Sequence, residues 1–384
     1  MVKYDVIIIG AGASGIMAAI TASERGRRVG VLDLGPTPLA KVAASGGGRC
    51  NFTNTAAAYN LYFGENPNFV RGALSRFGPT DMIQWAATHN IRTTQKTPGQ
   101  YFCADGADNI VRALLHDAAA ATIISNTRVT GVSHDGKNFI TTTNRGEYQS
   151  ESVIVASGGQ SFPTMNVSDI GHKIAQTFGH KIVPIRPALC GIKTDVFPDT
   201  LAGISMPVQI TGGRAKFVDD MLITHFGIGG PAVYRATVRD IDNGITINIM
   251  PNGDVATILR NARQTHGRKS PAGVLATWMP TRVAKWVAPS DINVADIRDE
   301  HIRQIANRVH NIFIPRDKIH LFSMASAEVV RGGIDTSQIS SKTMESKLQS
   351  GLYFTGEVID IAGDLGGFNL QWAWSSGYVA GQYA

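Results

Sequence analysis

Three glycines near the start of the chain have the spacing of a dinucleotide-binding turn. Gly10, Gly12 and Gly15 follow the apolar residues 4–9 and precede an alanine-rich stretch, so they lie between a predicted buried strand and a predicted helix. The first glycine permits a tight turn, the second lets a pyrophosphate approach the backbone, and the third lets helix and strand pack closely. Asp33 ends the next predicted strand, where an acidic side chain binds ribose hydroxyls. The pattern predicts a Rossmann-like unit that binds a dinucleotide.

A second glycine-rich segment covers residues 45–51. Its three consecutive glycines offer backbone N–H donors, and Arg49 offers a positive charge to a phosphate or a substrate carboxylate. On composition alone, a flexible surface loop is an equally good interpretation. Cys50 has no partner in a CxxC motif, so the sequence favours a packing or cofactor-lining role for it over a redox role.

Two later segments repeat the pattern of a buried strand that ends in a glycine turn. Residues 153–156 precede Gly158, and residues 351–355 precede Gly356 and Glu357. A glycine-rich run at 363–367 then opens the last predicted helix, at 369–380. The first N–H groups of a helix have no partner within it, and the helix dipole adds positive potential there. This helix opening therefore suits a group that develops negative charge.

Together these motifs resemble the flavoproteins of the glutathione reductase superfamily, and more narrowly the BaiN-like family of NAD(P)/FAD-dependent oxidoreductases. The narrower resemblance rests on residues 41–54, 224–231, 327–333 and 343–377, and it spans the whole chain. It implies an α/β fold: a Rossmann-like FAD/NAD(P)-binding domain, with a doubly wound parallel sheet and a β-meander crossover, that carries an inserted β-rich domain and a helical cap. The N-terminal unit would hold the ADP part of FAD, and the late glycine–acid turn would hold the ribityl chain.

The resemblance and the turns described above also predict which residues contact the cofactor. The acid that ends the second strand is usually Glu in this family and is the shorter Asp33 here. The predicted contacts are Gly10, Gly12, Ala13, Ser14, Gly15, Asp33, Lys41, Gly47, Gly48, Arg49, Cys50, Asn51, Val129, Ala156, Gly158, Gly356, Glu357, Gly366, Gly367, Phe368 and Asn369.

Composition limits the class of protein. The 384 residues are 43% hydrophobic and 17% charged, which is typical of a globular enzyme and excludes a disordered chain. No apolar run is long enough to span a membrane, and the N-terminus lacks the pattern of a signal peptide. Three widely spaced cysteines predict neither a disulfide framework nor a metal site. These features favour a cytoplasmic protein.

The order of elements predicts a discontinuous cofactor domain, because the strand at 352–355 and its helix must complete the sheet begun at 6–9. We expect residues 1–190 and 325–384 to form the FAD-binding domain, 191–251 and 313–324 a β-rich insert, and 252–312 a helical insert. In the helical insert, Val294, Ile297, Ile305 and Val309 predict the apolar face of one helix with Asn293 as its cap.

The leading functional hypothesis is an FAD-dependent reductase that passes hydride from NAD(P)H through FAD to a small or medium organic substrate, such as one with a conjugated C=C bond. No second GxGxxG motif follows residue 15, so NADH or NADPH would visit the flavin transiently. Two alternatives stay open: an FAD-dependent tRNA-modifying enzyme, and a non-catalytic flavin-binding sensor.

Two further signals bear on substrate and partner. His225 is a candidate proton donor, although a lone histidine at a turn more often has a structural role. The basic run Arg260, Arg263, His266, Arg268 and Lys269 is more typical of a solvated helix face than of a phosphate or tRNA contact. The net charge of +6 suits an anionic ligand. We therefore expect a small-molecule substrate, and a nucleic-acid partner is the less expected interpretation.

Overall fold

The chain forms two compact units, and the first of them is built from two separate segments. The computed structural model describes residues 2–213, 215–239, 241–289 and 292–384. The first unit combines residues 1–187 with 327–384, and the second unit is the continuous segment 188–326. The helices are α1 (Ala13–Glu24), α2 (Ala40–Gly48), α3 (Arg71–Arg76), α4 (Pro79–Thr88), α5 (Asp108–Asp117), α6 (Ile170–Thr177), α7 (Pro231–Thr237), α8 (Val255–Thr265), α9 (Pro271–Leu275), α10 (Thr281–Val287), α11 (Asp299–His310) and α12 (Phe368–Tyr383).

The first unit is built on a five-stranded parallel sheet. In spatial order its strands are Leu352–Phe354, Ser152–Val155, Val6–Ile9, Val29–Leu32 and Thr122–Ile124. Strands covered on both faces must be apolar throughout, and all four residues of the central strand are buried. The carboxyl ends of parallel strands share one edge of the sheet, so the turns that follow these strands lie along that edge.

A second sheet forms the crossover between two strands of the parallel sheet. Val129–His134, Phe139–Thr143 and Gly146–Ser150 form an antiparallel meander, and Val2–Lys3 adds to it in parallel. Smaller sheets complete the first unit: Asn51–Asn54 with Gln100–Cys103 and Thr93–Gln95, Tyr62–Phe63 with Ala362–Gly363, and Ile182–Ala188 with Val329–Ile334. The predicted Rossmann-like fold with a β-meander crossover is confirmed.

Helices α1 and α12 bring the two ends of the chain together through glycine. A Cβ atom added to Gly377 would lie 2.2 Å from the carbonyl oxygen of Ser14, which is closer than real Cβ contacts allow. At the other end of the same contact, Arg25 donates hydrogen bonds to the carbonyl oxygens of Gly381 and Ala384, at 2.9 and 2.8 Å. The C-terminal helix is therefore an integral part of the first unit.

The second unit has a seven-stranded antiparallel sheet and one hydrophobic core. In spatial order the strands are Ile312–Ile314, Ile245–Asn248, Ser205–Gly212, Ala215–Thr224, Gly227–Gly229, Ile192–Lys193 and His320–Leu321. The apolar residues of α8 to α11 pack in the same core as those of the sheet. The helical segment thus shares its core with the β-rich segment, whereas the sequence predicted a helical domain of its own.

The helix predicted from Val294 onward begins later than expected. Residues Val294–Asp296 form a single 3-10 turn preceded by Asn293, and α11 begins only at Asp299, after the extended residue Arg298. Val294 and Ile297 are nevertheless buried in the core with the apolar residues of α11. A spacing of three residues places side chains on one side of a 3-10 turn as well as of an α-helix, so the apolar pattern could not locate the break.

Acid is expected to destabilise the first unit through His172. Its side chain is buried, and this burial lowers its pKa below the usual 6.5. The unfolded chain then binds the proton more readily, so the stability present above a pH of about 6.5 decreases as the pH falls below that value towards the lower pKa of the folded state. We expect the melting temperature of the wild-type protein to fall between pH 7.5 and 5.5 by a few degrees more than that of His172→Leu.

The matched control is His116→Leu, which removes an exposed imidazole from the same unit. Its melting curve should follow the wild-type pH dependence. If all three proteins lose melting temperature in parallel, the buried imidazole of His172 does not contribute to acid sensitivity.

Candidate cofactor site of the first unit

The three glycines of the first turn divide into two roles. Added Cβ atoms would lie 2.4 Å from the carbonyl oxygen of Ala156 at Gly10, and 1.9 Å from the carbonyl oxygen of Gly10 at Gly15. At Gly12, in contrast, no atom lies within 4 Å of such a Cβ. Helix α1 starts at Ala13, and no side chain caps its first N–H groups. Two glycines therefore serve close packing, while the third leaves open space at an uncapped helix start.

The turn at Gly356 lies against the first turn of α1. Gly356 has a φ of +71°, and its added Cβ would lie 2.7 Å from the hydroxyl oxygen of Ser14. Its N–H group donates to the Ser376 hydroxyl at 3.0 Å, and its carbonyl accepts from the Trp372 indole at 3.0 Å. Both partners lie on α12, so this helix fixes the late turn beside the early one.

Asp33 connects the first glycine turn with the turn that follows the strand Val29–Leu32, and it does so through both carboxylate oxygens. One oxygen accepts from the N–H of Ala11 at 2.6 Å, and the other accepts from the N–H of Gly35 at 2.7 Å. A cleft lies beside this carboxylate, and its lining includes Gly10, Asp33 and Val129. Each carboxylate oxygen has a second lone pair, so Asp33 can accept a ligand hydroxyl while it holds the backbone.

Replacing Asp33 with alanine is expected to weaken FAD binding at least about tenfold, since a hydrogen bond to a charged group contributes about 1.5–3 kcal/mol and 1.4 kcal/mol is tenfold. The measurement is a fluorescence titration of the flavin-free protein with FAD. Asp5→Ala is the matched control, because Asp5 accepts from the N–H of Arg28 at 2.7 Å at the opposite ends of the same two strands. Equal FAD affinity in both variants would contradict a role for Asp33 at the cofactor.

The second glycine segment is a short helix that ends in a left-handed turn. Helical geometry in α2 is lost at Ser45, and Gly46, Gly47 and Gly48 have φ values of +59°, +67° and +81°. An added Cβ would meet nothing within 4 Å at Gly47 or Gly48, and Arg49 is exposed. The backbone of this turn is therefore accessible, as expected for a loop, although the residues before it form a helix.

Cys50 is a packed thiol. It is fully buried and has a φ of +49°, and the antiparallel register that pairs Asn51 with Phe102 places it opposite Cys103. A hydrogen bond with Cys103, together with burial, raises the pKa of the Cys50 thiol, which keeps it protonated. This environment agrees with the packing role and opposes a reactive thiolate.

Glu357 ties the late turn to two other segments. Its carboxylate accepts from the N–H of Gly159 at 3.1 Å and from the N–H of Val330 at 2.9 Å. The Lys41 ammonium lies 3.8 Å from the same carboxylate and donates to the Ser161 hydroxyl at 3.3 Å. Lys41 is half-buried, so its charge lies at the junction of these turns.

The opening of α12 differs in part from the prediction. The N–H of Gly367 is not free: with the amide of Asn51 oriented to satisfy both its atoms, its oxygen accepts from Gly367 at 3.2 Å. The Phe368 ring is buried edge-on against Tyr62, and the Asn369 side chain bonds the backbone of Gly363. These residues can therefore offer a ligand only the backbone N–H groups of the first helical turn.

The remaining predicted contacts lie on the same turns. Ala156 is buried at the end of its strand, Gly158 has a φ of +73° with nothing within 4 Å of an added Cβ, and Gly366 has a φ of +109°. Open backbone at Gly12, Gly47, Gly48 and Gly158, with a carboxylate at Asp33, fits a dinucleotide such as FAD.

Sequence reasoning missed several residues of the cleft beside Asp33. Arg128, Asn166 and Ser168 also line it, and so does Ser157, whose buried hydroxyl has no hydrogen-bond partner among the described residues. Arg128 immediately precedes Val129, and Ser157 immediately precedes Gly158. Their position next to a predicted contact is the signal that could have identified them.

His225 belongs to the second unit. It follows the strand Ala215–Thr224, is exposed, and lines a cleft of about 580 Å³ together with Lys193, Lys318 and His320. Phe226, in the same cleft, is 74% exposed. Carboxylates of Asp195 and Asp199 also line it, so the cleft mixes both charges around an exposed ring.

Metal-binding clusters and membrane-crossing helices are both absent from the described residues. No group of three His, Cys, Asp or Glu side chains there could hold a metal ion. No helix in the described parts of the chain combines the length and apolarity needed to cross a bilayer.

The parallel sheet, the glycine turns along one edge and the acid after the second strand define a Rossmann-type flavoprotein fold. One solved structure with this fold is the 3-ketosteroid-Δ4-(5α)-dehydrogenase of Rhodococcus jostii, which is 13% identical and superposes with a TM-score of 0.52 over 99% of this chain and 96% of that one. The chain belongs to the HI0933-like family, whose Rossmann domain model matches residues 4–383. The resemblance stated from the motifs is thereby confirmed at the level of this family, and the family and fold support FAD as the cofactor.

Named relatives span the whole chain. Ribosomal RNA dihydrouridine synthases of Escherichia coli and Haemophilus influenzae are 35% and 37% identical, over 100% and 97% of this chain and 98% and 96% of their own lengths. A 3-dehydro-bile acid Δ(4,6)-reductase of Clostridium scindens is 29% identical over 98% of each chain.

Proposed function

We propose that the protein is an FAD-dependent reductase that converts uridine in ribosomal RNA to dihydrouridine, with NADH or NADPH as the hydride donor. The main support for this proposal is full-length similarity, at 35% and 37% identity, to two proteins named for this reaction. The Rossmann-type site described above supports the flavin part of the proposal. Ribosomal RNA thus replaces the tRNA and the small molecule considered from the sequence.

The names of the ribosomal RNA dihydrouridine synthases and of the bile acid reductase describe the same type of reaction, the reduction of a conjugated C=C bond. Uracil has a C5=C6 double bond conjugated with the C4 carbonyl, and a Δ4 3-keto steroid acid has a C=C bond conjugated with its ketone. Conjugation polarises the distal carbon, which is C6 in uracil, so that it accepts hydride, and C5 then takes a proton. The balance is NAD(P)H + H⁺ + uridine giving NAD(P)⁺ + 5,6-dihydrouridine. One flavin site can therefore serve either substrate class.

In this proposal the first unit holds and orients the cofactor. The open turn at Gly12 and the uncapped start of α1 bind the pyrophosphate, and Asp33 binds ribose hydroxyls. When bound, FAD supplies a centre that accepts and donates hydride. The first turn of α12 supplies backbone donors that favour negative charge, and preorganised donors of this kind contribute about 3 kcal/mol each. His225 and solvent are the two proposed donors of the proton to C5.

The charge distribution favours RNA over a bile-acid-like substrate. Residues 255–318 contain eleven Lys and Arg and five Asp and Glu, a surplus equal to the net charge of the whole chain. A single carboxylate on a steroid needs one cation, whereas an RNA backbone needs many. The small-molecule reductase is the second candidate, supported by the 29% identical relative.

The test uses the purified flavin-loaded protein without oxygen. NADH or NADPH is added together with unmodified ribosomal RNA transcribed in vitro, with free uridine, or with a Δ4 3-keto steroid acid. We expect dihydrouridine in the RNA by mass spectrometry, with one NAD(P)H consumed per modified base. Turnover of the steroid but not of RNA would favour the second candidate, and no turnover with reduced flavin would contradict both.

A further inference from the structure

We propose that the outward faces of α8 and α11 form a docking surface for the phosphate backbone of structured RNA. This inference rests on the proposed function, because the partner it names is the RNA that carries the target uridine. We call the surface the arginine face, and it consists of Arg260 and Arg263 on α8 and Arg303 on α11.

Helices α8 and α11 expose charged residues on one side because their apolar residues pack into the core on the other side. Leu259 and Ala262 of α8, and Ile302, Ile305 and Val309 of α11, are buried in the core of the second unit. Val255 is buried in the same core, and Ala256, Ile258 and Ala306 pack against it, whereas Arg260 and Arg303 are exposed. The arginines therefore belong to the outer side of a rigid helix pair, which holds a charge pattern in place better than a loop would.

The arginine face has more positive than negative charge. A guanidinium nitrogen of Arg263 donates to a carboxylate oxygen of Asp299 at 2.7 Å. This bond, with the charges of Arg263, Arg260 and Arg303, lowers the pKa of Asp299. Glu300 is the other acid at this end of α11, and it forms no ion pair among the described residues.

Much of the donor capacity of these arginines is unused. Arg260 and Arg303 are exposed, and neither has a hydrogen-bond or ion-pair partner in the described parts of the chain. A guanidinium has five N–H donors in a planar fork that matches phosphate oxygens. Arg268 and Lys269, exposed just beyond the end of α8, extend the positive charge. The phosphate oxygens of an RNA chain would accept hydrogen bonds from these donors, and their negative charge would balance the excess positive charge of the arginine face.

A solvated helix face would behave differently from a docking surface. Exposed charges without a partner contribute little to stability, and their removal would change nothing except net charge. A docking surface, in contrast, loses RNA affinity when its own arginines are removed and keeps it when distant arginines are removed. The two interpretations can therefore be separated by matched neutral substitutions.

The test compares two double variants of the flavin-loaded protein. Arg260→Gln with Arg303→Gln neutralises the arginine face and leaves the Arg263–Asp299 ion pair in place. Arg112→Gln with Arg145→Gln removes the same charge from exposed positions of the first unit. Binding to a ribosomal RNA fragment transcribed in vitro is measured by gel shift between 50 and 200 mM salt. NAD(P)H-driven flavin reduction, FAD content and melting temperature report the integrity of each variant.

We expect the arginine-face variant to bind RNA at least about tenfold more weakly. The slope of log affinity against log salt should become shallower by about one unit for each phosphate that the protein no longer neutralises. The control variant should bind like the wild type, and both should keep normal FAD content and flavin reduction. Equal binding by all three proteins, or an equal loss in both variants, would overturn the inference. If the wild type binds the RNA through these arginines but forms no dihydrouridine in it, the proposed function fails while the docking surface stands.

Discussion

Replacing Gly12 with valine is expected to give a folded protein without bound flavin. The φ of −80° at Gly12 is accessible to valine, and an added Cβ meets no atom of the chain within 4 Å, so the fold has room for the side chain. That room is where we expect the pyrophosphate to approach the start of α1. We expect FAD occupancy to fall to less than about a tenth of wild type, which corresponds to a loss of about 1.4 kcal/mol or more. Absorbance near the flavin band, relative to protein, measures it.

Gly131→Val is the matched control for this substitution. Gly131 also belongs to the first unit, also has nothing within 4 Å of an added Cβ, and lies in the strand Val129–His134, where a β-branched residue is well accommodated. This variant should purify with normal FAD. A yellow Gly12→Val protein with full occupancy would show that the turn at residues 10–15 does not hold the cofactor.

Replacing Gly367 with alanine is expected to cost both stability and flavin. Gly367 has a φ of +94°, where alanine is strained by about 1–2 kcal/mol, and its added Cβ would lie 2.6 Å from the carbonyl oxygen of Thr53. Relief of that contact requires the start of α12 or the strand Asn51–Asn54 to shift, and we expect either shift to weaken the hydrogen bond from Gly367 to Asn51. We expect a lower melting temperature, partial loss of FAD and slower reduction of the flavin that is still bound.

Gly136→Ala isolates the effect of the close contact. Gly136 has nearly the same φ, +97°, but nothing lies within 4 Å of an added Cβ. Both variants therefore share the backbone strain, and only Gly367→Ala has the collision. If the two proteins lose the same melting temperature and both keep FAD, the placement of the α12 start is not important for the cofactor.

Local patterns predicted the parts of the fold that depend on local physics. The strand at Val6–Ile9, the turn after it and helix α1 follow from a short apolar run, glycine spacing and an alanine-rich stretch, and all three occur where expected. The break before α11 was missed, because Arg298 is extended although its neighbours keep an apolar spacing. An apolar pattern reports which residues are buried more reliably than where a helix begins.

Contacts between distant segments could not be predicted in the same way. The bond between Asn51 and Gly367 joins residues far apart in the chain, and the roles of Asp33 and Glu357 as acceptors for backbone N–H groups depend on the turns that face them. Sequence identified these residue types as suited to a cofactor. The structure adds that several of them also hold the turns in place, and their contact with FAD stays a prediction.

The interrupted course of the first unit has a consequence for how the protein matures in the cell. The strand Leu352–Phe354 and helix α12 are synthesised after residues 188–326, yet they pair with Ser152–Val155 and pack on α1. Residues 188–326, being continuous, can fold while the ribosome is still translating. The first unit is incomplete until α12 has emerged, so we expect uptake of FAD to follow synthesis of that helix. Nascent chains that stall before residue 352 would be left without cofactor and with an open sheet edge for quality control to detect.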